Sequence, residues 1–137
     1  MHVIGFDTTL TLLNRINGRD SVSGVDEWHK TILSGCSWVE KSIQSVSGST
    51  VNVGATYIVQ IPKSADYCCY PDWMQQLNGW TISTGDFIVK GVVSEDVTAQ
   101  NVREIIGKYK PNAFEIRMFQ DGSNAFGILE HYRIEGV

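Results

Sequence analysis

Alternation of apolar and polar residues with a period of two is the feature of this sequence that most limits the folds open to it. The pattern recurs in residues 8–16, 51–61 and 114–118, and a last strand-like segment reaches Val137. Side chains of a β-strand point alternately to its two faces, so these segments are typical of strands with one buried face. The chain therefore favours a sheet that uses both of its halves.

Turn-forming residues divide the first half of the chain into three predicted strands. Residues 8–16 form the first, and residues 28–40 form the second, in which Ser34-Gly35 indicates a bulge. A Ser/Gly-rich loop at 44–50 separates that strand from the third, at 51–61, and the two are expected to form a long antiparallel hairpin. The first strand's predicted buried face carries Leu10, Leu12 and Ile16.

The second half continues with strands and one helix. A Gly-Asp turn precedes a strand predicted at 87–93. A terminal hairpin is predicted from residue 114 onward, in which Phe114, Ile116 and Met118 alternate with Glu115 and Arg117. Between them Val102, Ile105, Ile106 and Tyr109 follow the spacing of one helical face. Thr98 is the predicted N-cap of this helix, and Pro111 ends it.

These elements predict one domain over residues 1–137, a size that accommodates one core but not two. The fold class is mainly β: a small antiparallel β-barrel or sandwich with one short α-helix covering an opening or a face. One set of residues is expected to face a single core: Val53, Tyr57, Val59, Phe87, Val89, Phe114, Ile116, Ile128 and Ile134.

Charge and composition narrow the functional classes. The net charge is -4, with 11 basic and 15 acidic residues, so no basic stripe is available to bind nucleic-acid phosphates. No apolar run approaches the roughly 20 residues that cross a bilayer, and we expect a soluble protein that does not bind a membrane. The cysteines at 36, 68 and 69 lack metal-ligand spacing and are expected to be reduced.

No set of residues predicts catalysis. The three histidines stand far apart in the sequence, so no metal site is expected. The acid pairs Asp26-Glu27 and Glu95-Asp96 are more typical of solvated turns than of a hydrolase, and Glu95-Asp96 also precedes a helix N-terminus, where negative charge is favoured. Short catalytic and phosphate-binding motifs do not occur. We expect no enzyme activity and no cofactor.

Two irregular segments are the predicted partner contacts. Residues 17–26 are polar and are expected to form a flexible arm, and residues 62–78 are aromatic, with one helical turn after Pro71, followed by a short strand at 80–82. Trp73 is predicted to be either a lid of the core or an anchor for a partner. The contact candidates are Gly18, Arg19, Asp20, Ser21, Val22 and Ser23 in the first segment and Tyr67, Tyr70 and Trp73 in the second.

A set of short motifs extends over most of the chain, from Leu12 to Gly136. The motifs are Leu12-Leu13-Asn14-Arg15, Asp26-Glu27-Trp28-His29, Gly35-Cys36-Ser37-Trp38, Tyr57-Ile58-Val59-Gln60-Ile61-Pro62, Gly85-Asp86-Phe87-Ile88-Val89-Lys90-Gly91, Lys108-Tyr109 and His131-Tyr132-Arg133-Ile134-Glu135-Gly136. In their order and spacing, these motifs resemble small proteins of the head-to-tail gene module of tailed phages and prophages of Gram-positive bacteria.

The resemblance is to head-completion or stopper proteins and implies a structural virion protein made in the host bacterial cytoplasm. Such subunits are small β-barrels that form a ring between the portal or adaptor and the tail. The implied partners are further copies of the chain, the neck proteins on both sides, and packaged DNA held without sequence specificity. The insertion at 67–80 and the helix at 98–109 depart from that plan.

Three alternatives remain open from the sequence. The chain could be another neck or tail component, such as a tail terminator or an adaptor. It could instead be a free-standing β-barrel module that grips a peptide or glycan with Tyr67, Tyr70 and Trp73. A hydrolase using Glu95 or Asp96 is the third class, and we expect no such activity.

Overall fold

The computed structural model describes residues 7–47, 50–63, 66–76, 78–122 and 131–137 and contains a closed antiparallel β-barrel. The strands follow the order β1-β2-β3-β6-β5-β4, and β4 pairs back with β1. The predicted mainly β class is confirmed, in its barrel form. The elements are β1 Thr8–Ile16, β2 Glu27–Ser47, β3 Thr50–Pro62, α1 Tyr70–Gln76, β4 Phe87–Lys90, α2 Val102–Tyr109, β5 Ala113–Gly122 and β6 His131–Gly136.

The described part of the chain buries two apolar clusters, one on each side of β1. Leu10 and Leu12 belong to the barrel interior, whereas Leu13 belongs to a second cluster, between the sheet and α2. The prediction of a half-buried first strand is therefore wrong, because α2 and the segment before it cover its outer face. The outer cluster comprises Leu13, Phe87, Val89, Val93, Val102, Ile105, Ile106 and Ala113.

The predicted single core is correspondingly divided between the two clusters. Phe87 and Val89 lie in the outer cluster rather than in the barrel interior. The side chain of Val53 and the whole of Ile128 lie outside the described residues. The remaining members are buried in the interior as predicted: Tyr57, Val59, Phe114, Ile116 and Ile134.

Two irregularities in strand pairing set which side chains face inward. On β2, Gly35 has a φ of 69° and lies where the pairing with β1 shifts register, so the predicted bulge is confirmed. On β5, the pairing with β6 shifts between Ile116 and Met118. Because this shift reverses the alternation, Met118 is exposed and Phe119 packs against the interior, and the predicted alternation ends at Ile116.

Several predicted boundaries move for local reasons. β2 and β3 continue through the predicted 44–50 loop to the pair Ser47 and Thr50. β4 ends at Lys90, since Gly91 has a φ of 96°. α2 begins at Val102, not Thr98, because Thr98 and Asn101 form a turn in which each side chain accepts the other's backbone N–H.

The aromatic segment also differs from its prediction. α1 extends over Tyr70–Gln76 rather than a single turn. In place of the predicted strand at 80–82, the structure has one parallel bridge between Tyr67 and Trp80. Among the described residues, none of the helices has the length and apolar character required to span a membrane.

The two longest strands extend beyond the barrel as a two-stranded ribbon. β1 pairs with β2 as far as Cys36, and β6 pairs with β3 only from Tyr57 onward. Residues 41–47 and 50–56 therefore pair only with each other among the described strands, and we call this part the ribbon. At about 3.3 Å per residue, it extends about 23 Å past the barrel.

Candidate partner-contact site

Residues 17–26, which connect β1 to β2, form a compact loop that we call the contact loop. The Gly18 N–H donates to Asp26 Oδ1 at 2.9 Å and ties the two ends together. Ser21 Oγ donates to the Val25 carbonyl at 2.6 Å and accepts the Gly24 N–H at 3.1 Å. The predicted flexible arm is thus a loop ordered by its own hydrogen bonds.

The tip of the contact loop presents apolar surface. Val22 is fully exposed, and Val25 is half exposed. Arg19 and Asp20 form an exposed ion pair at 3.8 Å, a type of pair that contributes little to stability. Val22 is the most accessible apolar side chain of the contact loop.

Trp73 is a core residue, so its predicted role as an anchor for a partner is wrong. Its side chain is only 1% exposed and packs edge-on against His29 at 5.3 Å between ring centroids. Its Nε1 donates to the Gly79 carbonyl at 3.3 Å. Because His29 pairs with the buried Asn14 across the β1–β2 ladder, α1 acts as a lid over this end of the barrel.

Tyr67 is likewise held within the chain. Its ring lies 4.6 Å from that of Tyr132 and 5.5 Å from that of Trp80, measured between centroids, and it packs against the barrel interior. A ligand-gripping trio of Tyr67, Tyr70 and Trp73 is therefore not presented on the surface.

Tyr70 connects the two segments that the sequence treats as separate contacts. Its hydroxyl accepts the Asn17 N–H at 3.3 Å and donates to Asp20 Oδ2 at 3.2 Å. The first turn of α1 thus braces the contact loop. The two predicted segments form one surface at one end of the barrel.

A buried polar network supports this surface from below. Asn14 Nδ2 donates to the Thr81 carbonyl at 2.6 Å and to Asp86 Oδ2 at 2.9 Å, and Asp86 also accepts the N–H groups of Arg15 and Ser83. Burial raises the pKa of the Asp86 carboxyl to about 6, although these hydrogen bonds oppose the shift. The network fixes the 81–86 turn to β1, next to the point where the contact loop begins.

Two cavities near this surface have charged residues in their walls. One of about 130 Å³ lies between Tyr70, Asp86 and Arg15. Another, of about 230 Å³, lies beside α2 and is lined by Arg15, Trp28 and Arg103 but also by the acids Asp26 and Glu115. The mixture of charges gives neither cavity a clear preference for an anion or a cation.

Glu95, one of the acids considered for catalysis, has structural partners. Glu95 accepts hydrogen bonds from the Tyr109 hydroxyl at 2.8 Å and from Lys108 at 3.0 Å, and these lower the pKa of its carboxyl to about 2. Glu95 thus binds the last turn of α2, not the helix N-terminus as predicted. Within the described ranges, no three His, Cys, Asp or Glu side chains converge to bind a metal ion.

The three cysteines are free thiols. Cys36 is buried in the barrel, and burial raises the pKa of its thiol to about 12, so it stays protonated and unreactive. Cys69 is exposed, and its Sγ donates to Asp72 Oδ2 at 3.2 Å in the first turn of α1.

Comparison with known proteins identifies a family without assigning a role. Residues 5–137 match a family described as a family of unknown function, DUF6751. No curated protein and no solved structure shows significant similarity to the chain.

Proposed function

The chain belongs to DUF6751, a family of unknown function, and from its motif order and its barrel we propose that it is a ring-forming structural subunit of the phage neck. In this proposal it acts as a stopper that joins the portal or adaptor to the tail. The motif order described above supports the location, and the barrel supports the type of subunit.

The ribbon is the observation that carries the proposal. A two-stranded hairpin alone in water is marginally stable, yet here 41–47 and 50–56 extend together beyond the barrel. The ribbon contains a single charged residue, Lys41, and no proline. Edges of free sheets are normally protected by charges or prolines, so an unprotected ribbon is typical of a strand pair that is covered in an assembly.

The contact loop supplies a second surface for a different neighbour. It connects β1 to β2 at Ile16 and Glu27, whereas the ribbon begins at the other end of the β1–β2 ladder, beyond Cys36. A ring subunit of a neck must contact its own copies and also a component along the axis. We assign the ribbon to the former contact and the exposed Val22 surface to the latter.

The proposal is tested in virions of a phage that carries this gene. Purified particles and detached necks are analysed by mass spectrometry and by electron microscopy with an antibody against the chain. We expect the protein in both preparations, with density for a ring between portal and tail. Complete particles with the protein absent from their necks would refute the neck role.

A further inference from the structure

We infer that the ribbon pairs with the ribbon of a second copy of this chain, the β2 edge of one copy lying against the β3 edge of the next. The inference rests on the proposed function, which supplies the ring, and it names the surface through which neighbouring subunits of that ring would bind each other. Within the described residues, no third strand pairs with the outer edge of β2 at 41–47 or with that of β3 at 50–56.

The chemistry of these edges favours another strand as the partner. An edge strand presents unpaired backbone N–H and C=O groups, and an extended segment added to it satisfies them through main-chain hydrogen bonds. Valine, isoleucine and threonine, which favour strands, occupy 6 of the 14 ribbon positions. Lys41 alone carries charge, so two such edges approach with little repulsion.

The arrangement of the edges favours a second copy in a head-to-tail orientation. The ribbon has one open edge on β2 and another of equal length on β3, on opposite sides. A two-fold dimer through one edge leaves the other edge open in both copies. Head-to-tail pairing uses both edges of every copy, and such contacts form a ring when the rotation between neighbours closes.

Cysteine crosslinking on the purified chain tests this pairing. Cys68 and Cys69 are replaced by serine, and Cys36 is retained because its thiol is buried. In this background Ser45→Cys labels the β2 side and Asn52→Cys labels the β3 side, two positions that are register partners within the ribbon. Glu104→Cys, at an exposed position on α2, is the matched control.

We expect a short bismaleimide to link Ser45→Cys to Asn52→Cys when the two variants are mixed at the highest concentration at which they stay soluble. Each variant alone, and either one mixed with Glu104→Cys, should remain at the background level. Efficient linkage within a single-variant sample would overturn the head-to-tail arrangement in favour of two-fold pairing. Absence of linkage above the Glu104→Cys control would overturn pairing between copies.

A shortened ribbon gives an independent measurement. Residues 43–54 are replaced by an Asn-Gly dipeptide between Ser42 and Ala55, which face each other in the register, because Asn-Gly favours a two-residue hairpin turn. We expect the unshortened chain to show a mass that increases with concentration in sedimentation, and the shortened chain to keep the thermal unfolding of the barrel but to lack that increase. Unchanged association of the shortened chain would contradict the inference.

The outcomes separate this inference from the neck proposal. Ribbon crosslinks in a protein that is absent from necks would preserve the pairing and refute the location. Presence of the protein in necks without ribbon crosslinks would preserve the location and refute the pairing. If Ser45→Cys in virions crosslinks only to a different neck protein, that protein is the partner of the ribbon instead of a second copy.

Discussion

The hydroxyl of Tyr70 donates a hydrogen bond of 3.2 Å to the carboxylate of Asp20, fifty positions earlier in the chain. This contact makes α1 and the contact loop a single unit at one end of the barrel. A partner that binds Val22 therefore meets a braced surface, which reduces the entropy lost on binding.

Removing this brace should loosen the loop more than the barrel. We expect Tyr70→Phe to cost about 0.5–1.5 kcal/mol in the free energy of unfolding, because its hydroxyl is bonded to both Asn17 and Asp20. Hydrogen exchange should accelerate at the Asn17 amide. Unchanged exchange at that amide would show that the brace does not order the loop.

Val22 should matter for assembly and not for folding. We expect Val22→Asp to leave the melting temperature unchanged, since the side chain is fully exposed, but to lower the yield of infectious particles. Val92→Asp, at another exposed valine outside the contact loop, is the control and should assemble normally. Equal yields from both variants would remove the contact loop from the interface.

Trp73, in contrast to Val22, should matter for the folding of the isolated chain. We expect Trp73→Ala to destabilise the isolated chain by about 3–5 kcal/mol, because it empties a buried site against His29. Urea denaturation of the purified protein measures this loss without any partner. A stability close to that of the wild type would mean that the lid contributes little to the fold.

The β5 register makes a sharp test of the barrel. Ile116→Asp places a carboxylate in the interior at a fully buried position and should cost several kcal/mol, enough to unfold a domain of ordinary stability. Met118→Asp, two residues on, should be tolerated, because the register shift leaves Met118 42% exposed. Equal losses of stability from the two substitutions would show that the register shift on β5 is assigned to the wrong position.

Asp86 should make stability fall as pH rises between about 4 and 6. Burial raises its folded-state pKa to about 6 from 3.8, so in that window the folded chain retains a proton that the unfolded chain has released. The loss is on the order of 3 kcal/mol at full ionisation and is complete above the folded pKa.

The Asp86 contribution is isolated by comparing urea midpoints of the wild type and Asp86→Asn across pH 3–7. The variant should lack this downward slope, although its amide meets the N–H donors that the carboxylate accepts and should lower stability throughout. Glu95 has the opposite effect on stability and at lower pH. Its pKa is lowered from 4.5 to about 2, so the stability that it contributes is lost as pH falls below about 4.5. If the urea midpoints of the wild type and of Asp86→Asn change with pH in parallel, Asp86 is excluded as the source of the downward slope.

The sequence patterns correctly predicted those features of the fold that depend on residues close together in the chain. The presence of strand β1, the bulge at Gly35 and the apolar face of α2 all arise from spacing within one segment. The second cluster was missed because the polar residues of β1 predict a solvent-facing side for that strand, yet Thr11, on that side, is buried and hydrogen-bonded.

The candidate site was predicted only as two separate segments. Their contact through Tyr70 joins residues far apart in sequence and leaves no periodic signal. The burial of Trp73 depends on His29 and Gly79, which no local pattern relates to it. The ribbon was obscured by the Ser/Gly-rich composition of residues 44–50, which is typical of loops.

The strand order also bears on how the chain reaches its folded state during synthesis. β6 is inserted between β3 and β5 although it follows both in sequence. A nascent chain that has emerged only as far as β5 therefore has two unpaired strand edges flanking an open slot, and such edges readily pair with other chains. Emergence of residues 131–136 from the ribosome is the step after which the barrel can close and this hazard ends.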